Sequence, residues 1–289
     1  PAGSAPTPAP LRLDPDPVPG ARGGGRMTTE LTWIGQAGFL LRTPATRLAV
    51  DPFLSDHPGR RFRSPVGVGD LAGTELVLTT HQHLDHLDAP GLRALLELDD
   101  RVLVVVPAPA VPDAAEAGLP PGRLVGARPG EPITAGDVTV YPVPALHGVH
   151  VTDAYSHGLP GDGDGVRYLG YVLDTPDGRV YHAGDTLRWD GQAELLRRHR
   201  VDLALLPING RDAEREARDI VGNLDAAEAL ALARDAAVGT VAPMHYDLMA
   251  GNLGDADAFL RLAPERYPGG RMVLPERMAE TPLAALLGR

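Results

Sequence analysis

Six consecutive residues, His81-Gln82-His83-Leu84-Asp85-His86, carry four metal-binding side chains directly behind the apolar run Leu76–Leu78. No other feature constrains the fold as tightly. Imidazole and carboxylate groups beside a core strand are costly to bury unless a cation or hydrogen bonds satisfy them. Imidazole suits zinc, iron and manganese, and carboxylate suits the harder cations. In an extended stretch alternate side chains share a side, which brings His81 and His83 together. Asp85 and His86 then lie where the chain turns into the next helix and face a second ion.

One tight turn cannot complete two coordination shells. Three further donors are placed similarly: His147 after the strand pattern at 138–143, Asp185 after 180–182, and His245 after 240–242. Each lies just past a strand end, where α/β enzymes commonly place their sites. The seven divide between two ions, with His81, His83 and His147 on one and Asp85, His86 and His245 on the other. Asp185 bridges with its two oxygens. His57, His150, His157, His182 and His199 are read as surface residues, with added interest in His150 and His157 because they lie in the long Gly-rich loop 148–167. Asp51 is read either as a partner orienting a ligand or as a turn residue.

The remaining composition narrows the chemistry. The 289 residues contain no Cys, and all 27 basic residues are Arg. Thiolate ligands, a cysteine nucleophile, a Schiff-base lysine and a phosphate-loop lysine are therefore excluded. A net charge of −11 disfavours nucleic acid as a partner. The absence of an 18-residue apolar run or a secretory pattern points to a cytoplasmic protein with no membrane contact. With 43% apolar residues, the length suits one large α/β domain.

Residues 1–26 hold seven Pro and five Gly and are expected to be a disordered tail, with 27–289 forming the single domain. Strand patterns fall at 31–34, 39–42, 48–50, 76–80, 102–106, 138–143, 169–173, 180–182, 203–206 and 240–242. Helices are expected after Asp88, at 192–199, at 226–234 behind Asp225 with Glu228 three residues on, and at 256–262. Turns join the early strands and helices separate the later ones, so two sheets with helices outside are expected.

The His-x-His-x-Asp-His string, with His147, Asp185 and His245 in that order, resembles the metallo-β-lactamase superfamily across nearly all of 27–289. The resemblance implies an αββα sandwich with a dinuclear metal site at one edge. Trp33-Ile34-Gly35-Gln36-Ala37-Gly38-Phe39-Leu40, Leu206-Pro207-Ile208-Asn209-Gly210-Arg211-Asp212, Asn223-Leu224 and Pro243-Met244-His245-Tyr246-Asp247 look like its L-ascorbate-6-phosphate lactonase branch. Gln36, Gln82 and the stretch Thr186-Leu187-Arg188-Trp189 depart from the pattern and put the substrate in question.

The expected function is a metal-dependent hydrolase of a small anionic lactone or related ester, using two divalent ions, zinc or manganese. Water acidified by adjacent cations, to a pKa near about 7, supplies the nucleophile. Asp85 orients it or carries its proton. Asn209 and Arg211 are expected to hold the anionic group of a small-molecule substrate, since a guanidinium pairs bidentately with carboxylate or phosphate. The alternative reading of Arg211 is a structural salt bridge. Tyr246 and His150 are candidates for the acid that protonates the leaving group. Competing functions are a phosphodiesterase or nuclease on the same scaffold, a mononuclear iron dioxygenase and a non-catalytic binding protein. Homo-oligomerisation is left open.

Overall fold

Alternation along single strands shows how the layers stack. Leu76 and Leu78 join one apolar cluster while Val77, between them, joins another. Val105 and its neighbours Val104 and Val106 are divided in the same way, as are Leu48 and Val50 against Ala49. A strand whose two faces are both apolar is covered on both sides. The computed structural model describes residues 11–13, 28–153, 155–158 and 165–289.

In chain order the strands are β1 (Leu11–Leu13), β2 (Glu30–Gly35), β3 (Gly38–Arg42), β4 (Arg47–Val50), β5 (Leu76–Leu78), β6 (Leu103–Pro107), β7 (Leu124–Ala127), β8 (Ile133–Ala135), β9 (Val138–Pro144), β10 (Leu169–Thr175), β11 (Gly178–His182), β12 (Leu203–Pro207), β13 (Thr240–Met244), β14 (Arg271–Met272) and β15 (Thr281–Pro282). They form two mixed sheets, ordered β15-β2-β3-β4-β5-β6-β7 and β1-β8-β9-β10-β11-β12-β13-β14. Helix α1 (Ala89–Leu98) lays Leu92, Leu95 and Leu96 on the outer face of the first sheet. Helices α3 (Gln192–Arg198), α5 (Ala226–Ala236) and α6 (Ala256–Arg266) pack together beside the second, with α2 (Val111–Glu116), α4 (Ala213–Glu216) and α7 (Leu283–Leu287) as short additions. The fold is the expected αββα sandwich of the metallo-β-lactamase type, an α/β architecture of two mixed sheets.

The caps form as their residues dictate. Asp88 accepts from the Gly91 amide at the start of α1, and Asp225 and Glu228 close a reciprocal capping box at the start of α5. No helix among the described residues is long and apolar enough to cross a membrane.

Three expectations change. Most of 1–26 lies outside the described residues, but Leu11–Leu13 is a strand parallel to β8, so these three residues are not the unstructured tail that composition suggests. Strands β7, β8, β14 and β15 and helices α2, α4 and α7 were not expected. His182 is fully buried, not a surface residue: its Nε2 donates to the Ala37 carbonyl at 2.7 Å and its Nδ1 accepts from the Gly184 amide at 3.2 Å. Burial holds its pKa below the usual imidazole value, so it is a neutral link between the β2–β3 turn and the segment after β11.

Candidate metal centre

The string after β5 is a turn rather than an extended segment, because the His86 and Leu87 amides both donate to the His83 carbonyl. It still brings His81 and His83 together. The segments after β9, β11 and β13 reach the same rim of the sandwich with His147, Asp185 and His245. His81, His83, His147 and Asp185 form one group, and Asp85, His86 and His245 a second, each with its donor atoms within 4.8 Å of one another. All seven sequence-expected residues converge. His83 and Asp85 are partly exposed and the others are buried.

Hydrogen bonds on the far side of the His81, His83 and His86 rings determine which nitrogen of each is bare. Asp51 accepts from the Thr80 amide and hydroxyl and from His86 Nδ1, the last at 2.7 Å. The Thr80 oxygen is thereby free to accept from His81 Nδ1 at 3.0 Å. His83 Nε2 donates to the Val149 carbonyl at 3.1 Å. The tautomers that satisfy these contacts leave bare lone pairs at His81 Nε2, His83 Nδ1 and His86 Nε2, all turned inward. Asp51 is therefore the ligand-orienting partner of the two sequence readings.

The inward atoms crowd one another. His81 Nε2 is 2.9 Å from His83 Nδ1, and His147 Nε2 is 3.4 Å from the same atom. Asp185 faces both groups, with one oxygen 3.3 Å from His86 Nε2 and the other 3.6 Å from His147 Nε2 and 3.3 Å from His245 Nε2. His245 Nε2 and His86 Nε2 lie 3.3 and 3.8 Å from Asp85 Oδ2. These separations match the edges of a coordination shell with a radius of about 2.0–2.2 Å. Lone pairs at such distances repel unless a proton or a cation lies between them. His86 Nε2 and Asp185 Oδ1 are moreover buried with no hydrogen-bond partner among the described residues. Each group therefore has the donor set of a divalent-cation site.

The groups differ electrostatically. Burial, then the neighbouring imidazoles, holds His81 well below the usual imidazole range, and burial brings His147 down to about 3. At His86 burial opposes protonation, but Asp185, Asp51 and Asp85 outweigh it and hold the ring well above that range. Burial is likewise outweighed at His245, raised by Asp185 and Asp85. Asp85 and Asp185 are pulled below the carboxylate range by facing imidazoles, against the effect of burial.

Backbone strain concentrates here. Asp51 and His245 both adopt left-handed φ, at 46° and 56°, a conformation that costs a non-glycine residue about 1–3 kcal/mol. Gly184 also has positive φ, and a Cβ there would lie 2.6 Å from the Leu169 carbonyl oxygen and 2.8 Å from Thr80 Cβ, so only glycine lets the segment bearing Asp185 come this close.

One neighbour stood out in the sequence only as a departure from the family pattern, with no site role assigned to it. Gln36, at φ 53° in the β2–β3 turn, is buried and places its amide nitrogen 2.8 Å from Asp85 Oδ2 and 3.1 Å from His245 Nε2. Its turn conformation, invisible in the sequence, aims it there.

Arg211 and Asn209 behave differently from the ligands. The Arg211 guanidinium is bidentate to Glu228, at 2.7 and 2.8 Å, and also donates to the Asn223 carbonyl. Both Nη groups hold the start of α5, which is the salt bridge weighed against substrate anchoring. The Asn209 side chain lies between Asn252 and Asn223. Tyr246 stacks on Trp33, and burial pushes its hydroxyl up to about 12. His150 is exposed and pairs with Asp219 at 2.6 Å.

Residues 46–246, which include all seven donors, match the β-lactamase superfamily domain. The chain belongs to the metallo-β-lactamase superfamily. It is similar to a UPF0173 metal-dependent hydrolase of Myxococcus xanthus, 31% identical over 284 residues, spanning 96% of this chain and 91% of the relative. A UPF0173 metal-dependent hydrolase of Caldivirga maquilingensis is 29% identical, across 84% of this chain and 92% of its own length. Among solved structures, the metallo hydrolase Igni18 from Ignicoccus hospitalis superposes with a TM-score of 0.66 at 23% identity, covering 88% of this chain and 97% of that one. The isothiocyanate hydrolase from Delia radicum gut bacteria superposes at 0.68 with 18% identity, covering 86% and 97%. These two likenesses concern the fold. This chain is an enzyme, a metal-dependent hydrolase of the superfamily.

Proposed function

We propose that the chain hydrolyses a small anionic lactone or related ester at a pair of divalent cations, zinc or manganese. The observation that carries this reading is the position of Asp185 between the two donor groups: its Oδ1 faces His86 of one group, and its Oδ2 faces both His147 of the other and His245. His81, His83 and His147 would hold one cation, Asp85, His86 and His245 the other, and Asp185 both. Bound there, divalent cations supply Lewis acidity and bring the pKa of water towards about 7.

The protein's own groups then have definite tasks. Asp51 and Thr80 fix the rings of His86 and His81. Asp85, kept anionic by His86 and His245 and tethered by the Gln36 amide, orients the attacking water and accepts its proton. The water oxygen bonds to the carbonyl carbon, the C–O bond to the leaving oxygen breaks, and the proton ends on that oxygen. The lactone class rests on the motif resemblance around Trp33 and Asn209, and the acidic chain disfavours nucleic acid.

A panel of sugar lactones, carboxylic esters and chromogenic phosphodiesters, assayed with metal-loaded and metal-stripped enzyme, tests the reading. Metal-dependent turnover of lactones or esters above phosphodiesters is expected. Turnover of phosphodiesters alone would replace it with the phosphodiesterase reading.

A further inference from the structure

The chain carries 38 acidic against 27 basic residues, yet no Asp or Glu occurs between Asp56 and Asp70, while Arg60-Arg61-Phe62-Arg63 lies inside that interval. The segment pairs with the chain just beyond His245, forming a lip there, with Arg60 bridged to Met249 and the Ala250 amide donating to the Gly59 carbonyl. The Arg61 amide donates to the Leu248 carbonyl, and its Nη1 donates to the Asp247 carbonyl at 3.2 Å, two residues beyond His245. Phe62 packs over Gly35, next to Gln36, and Arg277 stacks on the Phe62 ring at 3.7 Å.

The charges on this lip do not cancel. The Asp247 carboxylate is already satisfied by the Gln36 amide and by Arg277 at 2.6 Å. Arg63 has only a loose contact, 3.9 Å, with Asp56. Arg60 donates to the Phe53, Ser55 and Phe62 carbonyls and lies over the Phe53 ring. Neither Arg60 nor Arg61 has a carboxylate within ion-pair distance among the described residues. Burial lowers the pKa of Arg60, while the charges of Asp88, Asp56, Asp247 and Asp85 oppose it, so this cation lies within electrostatic reach of the metal centre. An open cavity of about 420 Å³ is lined by residues 56–58 and 60–63.

We infer that this lip is the subsite for the anionic group of the substrate, a carboxylate or phosphate, with Arg61 as its direct partner and Arg60 as a fixed positive charge behind it. The inference rests on the ester-hydrolase reading for the rest of the substrate, but not for the anion itself. Arg61 has its Nε and Nη2 groups free of protein partners among the described residues, and a guanidinium presents such pairs in a fork suited to an oxyanion. On an acidic protein, a local basic lip also draws an anionic substrate towards the one rim where the donors converge. The role expected of Arg211 thus moves to a different segment, because the Arg211 fork is already taken by Glu228.

The test compares mono(4-nitrophenyl) glutarate with 4-nitrophenyl butyrate, which share the scissile bond and differ in the distal carboxylate. With Arg61→Gln, the preference for the anionic ester is expected to fall roughly tenfold, the range for one lost charge-assisted contact, through KM rather than kcat. Metal content and melting temperature serve as controls for folding. Calorimetric binding of glutarate to the as-purified enzyme runs in parallel and does not depend on the reaction class. It should weaken by a similar factor in Arg61→Gln. Loss of ester turnover with Arg61-dependent glutarate binding would refute the hydrolytic reading and leave the subsite standing. No glutarate binding by the unmodified enzyme, equal effects on both esters, or loss of preference in Arg211→Gln but not in Arg61→Gln would overturn the subsite.

Discussion

The two halves of the metal centre are built from similar residues but on opposite electrostatic principles. The half formed by His81, His83 and His147 offers three imidazoles, two of them driven below the usual range by burial, and its carboxylate is the shared Asp185. The half formed by Asp85, His86 and His245 has a carboxylate of its own, with Asp51 directly behind His86 and both imidazoles raised. A cation in the first half would be held mainly by neutral lone pairs, while in the second it would meet fixed negative charge. Ligand geometry is therefore similar across the centre while the charge that attracts a metal is concentrated on one side, beside the proposed proton acceptor.

The largest effect should come from the residue common to both halves. Asp185→Ala is expected to reduce metal content in both and to abolish measurable hydrolysis, as read by elemental analysis and ester or lactone assays. Full occupancy of one half in that variant would break the bridging role. Asp85→Asn removes charge from the second half alone. It should lower activity by about 10²–10⁴-fold, the range for a general acid–base group, and lower metal content towards one ion while the three-imidazole half stays filled. Equal loss from both halves would erase the distinction drawn here.

Asp51→Asn sharpens it further. Asp51 bonds His86 directly but reaches His81 only through Thr80. Metal affinity should fall by about 10–100-fold, as for other ligand-orienting partners, and more in the second half than in the first, as a competitive chelator titration would resolve. The smallest effect belongs to Arg211→Gln, which breaks a half-exposed clamp on α5. Stability should drop by about 0.5–1 kcal/mol, visible in denaturant unfolding, with metal content unchanged.

The converging donors were legible because their chemistry is local. Four donors in six residues behind an apolar strand, and single donors just past three other strands, need no tertiary information to be noticed. Arg211 shows the converse. A Gly-Arg pair after a strand looks much the same whether the guanidinium faces a substrate or a helix start, and the Glu228 that decides between them is 17 residues away. Gln36 and Asp51 were obscure for another reason: both sit at positive φ, and what they point at depends on a backbone state the residue type does not specify. His182 reads as an ordinary polar residue until two packed segments supply a partner for each ring nitrogen. Among the elements, the long apolar strands were readable from their composition, whereas β14 and β15 are two residues each and exist only because a neighbouring strand pairs with them.

Counting divalent ions per chain in freshly purified protein tests the central claim most directly. Elemental analysis should find close to two, combined as zinc, manganese or a mixture, falling well below two in Asp185→Ala that remains folded. A value of one or less in the unmodified protein that does not rise when it is incubated with excess zinc or manganese and then desalted would contradict the account.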